Sequence, residues 1–477
     1  MLLRTITLLF FCSVFCLPSA SAQNTWTLER CIEYARQNNL SVKQAEYTIQ
    51  NNRLTQQQNQ FSRLPNLSAR TNAGLQFGRT IDPTTNTFNT ERISFNTFSL
   101  DASATLYNGG RINNAIKQSK INLEASRYDA QATLNDIGLS IANAYLSILL
   151  AEEQLSNARQ RLALSQEQLS QTDKLIQAGA RPANERLDFL AQIALDEQLI
   201  IEADNLVVIG YLNLKQLLEL DPGEELRIVR PESVSIPPAV DPRNFGLEET
   251  YVAALQTQPQ IRAADLRLES AQLDENIAQA GYLPSLVLFA GMNTNFSSAF
   301  RSAVFGERRV PQTVFIDNTP VVIEFETQVP LEINQIPYGR QFRDNFGQSV
   351  GLSLGIPIYS NHQNRIAVER ARLNVLNTQV ANRQLRQQLK TEVQRAIADA
   401  RAAREAMMAA QRTVEAAQMA FDNAEKRFQL GAINSLEYAT SRNNLDRAQI
   451  DLIRSKYQYL FNLKVVDFYL GRPISLD

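Results

Sequence analysis

Few side chains in this sequence of 477 residues are suited to catalysis or metal binding. It contains one histidine, His362, three cysteines, and no phosphate-binding or nucleophile motif. A single histidine argues against a multi-histidine metal site, and we expect neither a metal nor another cofactor. With 47 basic and 49 acidic residues the net charge is −2, so nucleic acid is not an expected partner. The composition therefore predicts that the protein is not an enzyme.

One short motif has a clear physical role. Asn434 and Glu437 have the spacing of a capping box, in which each side chain bonds the other residue's backbone N–H at the start of a helix. Glu437 lies six residues after Gly431, and Glu185 lies six residues after Gly179. The two acidic residues therefore occupy matching positions, and the elements that carry them must be related.

The first 22 residues have the form of a secretory signal peptide. Arg4 is followed by an apolar run, and small residues at Ala20 and Ala22 mark a cleavage site before Gln23. A lipoprotein acylated on Cys16 is a less favoured alternative, because the residue before this cysteine is bulky. The signal peptide predicts an exported chain, and we expect no helical anchor, since no later segment has the ~20 mainly apolar residues that a helix needs to cross a bilayer.

The mature chain reads as two copies of one unit. Leu64 and Pro65 recur 219 residues later, whereas Gly179 recurs 252 residues later as Gly431. The difference between these offsets places 33 extra residues inside the second copy. Each copy has the same order of patterns, which is a helix, two strands and a long helical hairpin.

These offsets define the expected domains. We assign 1–22 to the signal peptide, 23–225 to the first repeat, 226–242 to a linker and 243–477 to the second repeat. The 33 extra residues predict a longer strand–strand loop near 297–345.

In four segments, apolar residues alternate with small polar residues, so that each strand would have one apolar face and one polar face. Their length of about ten residues is typical of transmembrane β-strands, although strands of a soluble sheet have the same period. Four strands cannot close a barrel, and an open edge in lipid leaves backbone groups unpaired. The chain must therefore oligomerise, and two, three or four copies would give 8, 12 or 16 strands. The segments are Leu67–Phe77, Ile93–Tyr107, Leu286–Phe296 and Ser349–Ile358.

A very long helix is predicted after the second strand of each repeat. Residues 112–177 contain no proline and one glycine, and residues 363–430 contain neither. About 65 residues of helix span about 100 Å. Both helices end in apolar heptads, which indicate a left-handed coiled coil. Gly179 and Gly431 then end them, and a second helix returns from each turn.

This order of elements is similar to that of the TolC family of outer-membrane exit ducts. The resemblance covers essentially the whole mature chain and rests on the duplication, the repeated Leu-Pro pair, the Tyr-Asn-Gly-Gly-Arg turn at 107–111 and the turns at Gly179 and Gly431. It implies an α+β membrane protein: a homotrimer with a 12-stranded β-barrel, four strands per chain, in the outer-membrane lipid of a Gram-negative cell. A long α-helical coiled-coil tunnel would continue the barrel into the periplasm.

The implied function is a passive exit duct for small molecules or proteins, in a tripartite efflux pump or a type I secretion system. Its partners would be a periplasmic adaptor (membrane fusion) protein and an inner-membrane transporter. The alternative is a periplasmic coiled-coil adaptor or scaffold protein without a pore.

The resemblance also implies a constricted pore entrance near the hairpin turns, to which we assign Glu437, Glu185, Phe428 and Thr440. Glu437 stands where similar ducts carry an acidic ring, and three copies converging on the axis would favour bound cations. A plain helix cap at Glu437 is an equally weighted interpretation. Ile433 replaces the basic residue that can latch the entrance in this family, so any latch here must use different partners.

Overall fold

The computed structural model describes residues 25–81, 88–90, 92–230, 242–317 and 319–473. The expected signal peptide and most of the expected linker lie outside these residues. Numbered in chain order, the strands are β1 (Thr25–Trp26), β2 (Asn66–Gln76), β3 (Arg79–Ile81), β4 (Phe88–Thr90), β5 (Ile93–Asn108), β6 (Arg227–Ile228), β7 (Ser285–Ser297), β8 (Arg301–Ile316), β9 (Thr319–Gln335) and β10 (Gly347–Gly355). The helices are α1 (Leu28–Asn38), α2 (Leu40–Phe61), α3 (Arg111–Gln177), α4 (Glu185–Leu218), α5 (Leu247–Thr257), α6 (Pro259–Gln279), α7 (Tyr338–Asp344), α8 (Gln363–Gln429) and α9 (Ser435–Tyr469).

The chain folds into two compact units, and each takes segments from both sequence repeats. The sheet unit comprises Asn52–Leu123 and Arg267–Thr378. The helical unit comprises the described parts of Met1–Asn51, Glu124–Leu266 and Gln379–Asp477. The long helices α3 and α8, of 67 residues each, contribute residues to both units.

The sheet unit contains an antiparallel four-stranded sheet in the order β10-β7-β5-β2. Its register places Leu100 opposite Met292, so the apolar residues of neighbouring strands share one face. Large side chains on this face are exposed in the chain, including Leu67, Leu100, Leu288, Met292, Val350, Leu352 and Leu354. The other face is mainly small and polar, with Phe289 as an apolar exception, and it carries Asn72, Ser99, Asp101, Asn293 and Ser349. The strands β10 and β2 are the two edges of the sheet.

The segment near 297–345 folds into a long β-hairpin rather than a plain loop. Strands β8 and β9 pair antiparallel over their whole length, and the short helix α7 follows them. In β9 the residues Ile323 and Phe325 alternate with Glu324 and Glu326, which favours a strand with one apolar face. On the opposite face, Arg309 pairs with Glu326 at 2.9 Å.

The first helical segment of each repeat is broken by a polar residue. The sequence pattern of Thr27–Arg63 predicts one helix, but the structure has two, α1 and α2, separated at Asn39. Gln258 separates α5 from α6 in the same way. The Asn39 amide donates to the Leu217 carbonyl oxygen at 2.9 Å, and that of Gln258 donates to the Phe468 carbonyl oxygen at 3.3 Å. Each break lets an amide bond the carbonyl end of another helix.

The core of the helical unit is formed where α3 packs against α1 and α4. Ile141, Tyr145 and Leu149 of α3 are buried there together with Cys31 and Leu214. Cys31 is a free, buried cysteine, and burial raises the pKa of its thiol to about 12. Contrary to the expectation from the sequence, α3 contains one 18-residue window that is apolar enough to cross a membrane by length and composition, and 44% of that window is buried in this chain.

Candidate channel entrance at the helical hairpin turns

Both helical hairpins turn at a glycine with a left-handed backbone. Gly179 has φ 72° and Gly431 has φ 71°, values that side chains disfavour because of the Cβ atom. The Gly179 N–H donates to the Ile176 carbonyl at 2.9 Å, and the Gly431 N–H donates to the Phe428 carbonyl at 2.9 Å. These bonds satisfy carbonyl groups at the ends of α3 and α8, as in a glycine C-cap.

Helix α9 begins with the cap that the sequence predicts. The side chain of Asn434 accepts a hydrogen bond from the Glu437 N–H at 2.8 Å. Among the hydrogen bonds of the described residues, the reciprocal bond from the Asn434 N–H to the Glu437 carboxylate is absent. The carboxylate of Glu437 is exposed, so the cap uses the backbone of this residue and leaves its charge available to solvent.

A buried aromatic cluster joins the two hairpins next to their turns. Phe428 and Tyr438 stack with their ring centroids 4.7 Å apart, and Phe189 of the first hairpin lies 6.0 Å from Phe428. Ile433 is buried in the same cluster, in the position where a latching basic residue was expected. Burial raises the pKa of Tyr438 to about 12.

Arg181 provides a polar link between the hairpins in place of that basic residue. Its guanidinium lies 4.0 Å from the centroid of the Phe428 ring and also donates to the Phe428 carbonyl oxygen. The same guanidinium donates to the Glu185 carboxylate at 2.8 Å, and both side chains are buried. The i,i+4 spacing of Arg181 and Glu185 is visible in the sequence, whereas the contact with Phe428 is not.

Four buried charges connect three helices deeper in the hairpins. Arg161 of α3 lies 3.4 Å from Asp196 of α4 and 2.9 Å from Asp446 of α9. Arg442 approaches Asp446 at 3.9 Å and donates to the Arg161 carbonyl oxygen at 2.7 Å. Ser165 donates to Asp196. Burial raises the pKa of Asp446 against the attraction of the two arginines. Sequence reasoning missed this network because its members lie on separate helices.

A polar stripe runs along the exposed side of α9, starting at Glu437. Its members are Glu437, Thr440, Asn444, Arg447, Asp451 and Arg454, and all are exposed. Their spacing of 3 and 4 residues keeps them on one side of the helix. The exposed side of α4 is instead rich in apolar residues, such as Leu187 and Ile201, which are 65% and 70% exposed. The two repeats therefore differ in their exposed surfaces. The polar surface of α9 is suited to contact with water, and the apolar surface of α4 is suited to packing against protein.

The structure separates the four residues of the predicted constriction. Glu437 and Thr440 are exposed on the polar stripe, whereas Phe428 and Glu185 are buried between the hairpins. Phe428 and Glu185 hold the hairpins together within one chain. Among the described residues, no group of three or more His, Cys, Asp or Glu side chains is placed to hold a metal ion.

A family model described as outer membrane efflux protein matches residues 31–219 and 250–472, which together form most of the chain. The chain belongs to the outer membrane efflux protein family. The two matched segments correspond to the two copies seen in the sequence. A comparison with curated protein sequences gave no match.

The fold of this outer membrane efflux protein is shared by solved outer-membrane channels. The structure of CusC superposes with a TM-score of 0.75 at 19% identity and covers 96% of both chains. VceC of Vibrio cholerae gives a TM-score of 0.71 at 16% identity, covering 93% of this chain and 96% of its own. The open state of the MtrE channel of Neisseria gonorrhoeae gives 0.68 at 18% identity, covering 94% and 90%. The predicted fold class is confirmed: barrel strands and long tunnel helices, internally duplicated.

The efflux protein is therefore an outer-membrane exit channel whose long helices extend into the periplasm. The family match and the shared fold do not favour the alternative of a periplasmic adaptor or scaffold without a pore.

Proposed function

We propose that three copies of this chain assemble into one 12-stranded barrel that serves as the exit duct of a tripartite efflux pump. The observation that carries the trimer is the four-stranded sheet with one apolar face and two open edges, β10 and β2. Backbone groups at these edges need partners in lipid, and copies of the same sheet supply them. Three sheets make a barrel wide enough to leave a lumen lined by the polar face.

The surface of α4 supports the same assembly. Its exposed leucine and isoleucine side chains would be costly in water, and contact with a neighbouring copy would bury them. The polar stripe of α9 would then line the water-filled tunnel. In this arrangement Glu437 and Thr440 form the pore-entrance constriction, and Glu185 and Phe428 fix the hairpins that carry it.

The duct itself would be passive. Energy would come from an inner-membrane transporter, and a periplasmic adaptor protein would connect it to the hairpin turns. The transported material is a small molecule in an efflux pump, or a protein in a type I secretion system.

We also propose a domain assignment for the duct, based on the offsets between the two repeats. We assign 1–22 to an export signal, 23–225 and 243–477 to the two repeats, and 226–242 to their linker. The β8–β9 hairpin, which occupies most of the extra length of the second repeat, would be extracellular.

The experiment is a native mass measurement on protein extracted in mild detergent from outer-membrane fractions. The proposal predicts a particle of three chains, each somewhat lighter than the 53.6 kDa of the full sequence after signal cleavage. Recovery of a soluble monomer with intact secondary structure would exclude the proposal.

A further inference from the structure

The short helix α7 packs on the apolar face of the sheet. The Tyr338 ring lies 4.7 Å from that of Phe296, and the Phe342 ring lies 5.3 Å from that of Phe98. Phe98 is two residues from Leu100 in β5 and points to the same face of the sheet. Helix α7 therefore lies on the side of the sheet that faces lipid in an outer-membrane barrel.

Hydrogen bonds to β7 fix α7 in this position. The Gln341 side chain is 2% exposed, accepts from the Ser297 N–H at 3.0 Å and donates to the Ser297 carbonyl at 3.0 Å. The Thr294 hydroxyl donates to the Phe342 carbonyl at 2.6 Å, and the Asn345 amide donates to the Asn295 carbonyl at 2.8 Å. These bonds make α7 a built part of the sheet unit rather than a mobile connection.

The contact lies where the apolar face of the sheet ends. The face is apolar from Leu286 to Met292, a rise of about 20 Å, close to the height of the apolar band on outer-membrane barrels. Beyond Met292 the face becomes mixed, with Thr294 opposite Phe98 and Asn96 opposite Phe296. Helix α2 leads into the start of β2, and α3 follows the end of β5. Because these strands are antiparallel, both helices join the sheet at one end, which is the end away from α7. Since the long helices are periplasmic, α7 lies at the outer rim of the apolar band.

The exposed surface formed by α7 and by Phe346, which follows it, combines aromatic and basic side chains. Tyr338, Phe342 and Phe346 are between 37% and 49% exposed. Arg340 and Arg343 are also exposed, and Arg340 makes a surface ion pair with Asp344 at 3.4 Å. Such a pair is weak and leaves a guanidinium able to bind a stronger anion. The middle strands β5 and β7 carry α7, so neighbouring copies that pair at β2 and β10 do not cover it.

We propose that α7 is an interfacial anchor whose two arginines bind the phosphates of outer-leaflet lipid headgroups. Aromatic side chains gather at membrane–water interfaces, and guanidinium groups match phosphate in charge and geometry. The anchor would fix the height of the barrel in the membrane and the base of the β8–β9 hairpin. This inference rests on the proposed membrane orientation of the sheet and is independent of the transported substrate and the partner proteins.

The first test measures lipid A binding to the detergent-extracted channel by native mass spectrometry. The double variant Arg340→Gln/Arg343→Gln should bind lipid A more weakly, by roughly fivefold for each arginine removed. The matched control is Arg365→Gln/Arg370→Gln, which removes two exposed charges at the start of α8 and should bind as the parent protein does. Equal affinity of both double variants would overturn the proposal.

The second test locates α7 in the membrane with a fluorescent residue. The chain has one tryptophan, Trp26, which is buried in the helical unit and supplies the background. In nanodiscs containing brominated lipids, Phe346→Trp should be quenched, and Leu352→Trp on the apolar face should be quenched as well. Quenching of Leu352→Trp alone would overturn the anchor, whereas loss of both signals would contradict the membrane orientation itself.

Discussion

The Arg181 guanidinium lies 4.0 Å from the Phe428 ring and so joins the two helical hairpins of one chain. In the repeat alignment Arg181 corresponds to Ile433, at an offset of 252. The basic residue that was expected after the second glycine turn is thus supplied after the first one. Arg181 contacts Phe428, and Ile433 lies in the same buried cluster as Phe428. The polar link between the hairpins is therefore at the expected place, but the first repeat provides it and not the second.

Removal of Arg181 should destabilise the hairpins. The variant Arg181→Gln leaves the buried Glu185 carboxylate without its cation, which costs about 3 to 5 kcal/mol for a buried pair. Thermal unfolding followed by circular dichroism should show a lower midpoint for Arg181→Gln and partial recovery in Arg181→Gln/Glu185→Gln. The control is Arg186→Gln, which breaks an exposed pair with Asp173 and should have little effect. Equal midpoints for the two single variants would contradict the link.

Two carboxylates should give pH dependences of opposite sign. Burial raises the pKa of Asp446, so folding favours its protonated form, and its contribution to stability grows as pH falls through that raised pKa. At Asp265 burial is outweighed by hydrogen bonds from Asn382 and Arg386, which lower the pKa. Its contribution is present above the ordinary pKa of aspartate and is lost as pH falls through the lowered one.

The corresponding measurement compares thermal midpoints between pH 7 and about pH 2.5, well below the ordinary pKa of aspartate. The midpoint of the parent protein minus that of Asp446→Asn should increase as the pH falls. The same difference for Asp265→Asn should decrease. Slopes of equal sign would show that the two carboxylates do not differ in this way.

The exposed apolar side of α4 should be a subunit contact. Ile201→Glu introduces a charge where a neighbouring copy is expected, so the assembly should dissociate at lower temperature or lower detergent concentration in native mass measurements. Asn444→Glu adds the same charge to the polar stripe of α9 and should leave the trimer intact. A trimer of unchanged stability in Ile201→Glu would place the interface elsewhere.

The β8–β9 hairpin should be accessible from outside the cell. An epitope inserted after Asp317, at the end of the hairpin, should be labelled on intact cells. The same epitope inserted after Gly179, in a periplasmic hairpin turn, should be labelled only when the outer membrane is permeabilised. The reverse pattern would invert the topology.

Local patterns in the sequence predict most of the architecture. The predicted strand Leu67–Phe77 agrees with the observed Asn66–Gln76 to within one residue at each end. Such a strand is predictable because its alternating pattern and the glycines of its turns are local features of the sequence. The β8–β9 hairpin was expected as a loop because that prediction rested on the 33 extra residues of the second repeat and not on a strand pattern, which Pro311, Pro320 and Pro330 interrupt.

The candidate entrance was only partly predictable. The cap at Asn434 lies within four residues and is visible as a motif. The contact of Arg181 with Phe428 joins residues 247 positions apart, and the network of Arg161 joins three helices. Such contacts depend on how the helices pack, and the spacing of residues along one helix does not reveal them.

Ion selectivity of the reconstituted channel tests the central claim most directly. In planar-bilayer recordings the parent protein should prefer cations and be blocked by divalent ions added on the periplasmic side, because in the proposed trimer three exposed Glu437 carboxylates would converge at the entrance. Glu437→Gln should lose both properties. Asn434→Ala should keep them while losing about 1 kcal/mol of stability from the helix cap. Unchanged selectivity and divalent block in Glu437→Gln would contradict the account and reduce Glu437 to a capping residue.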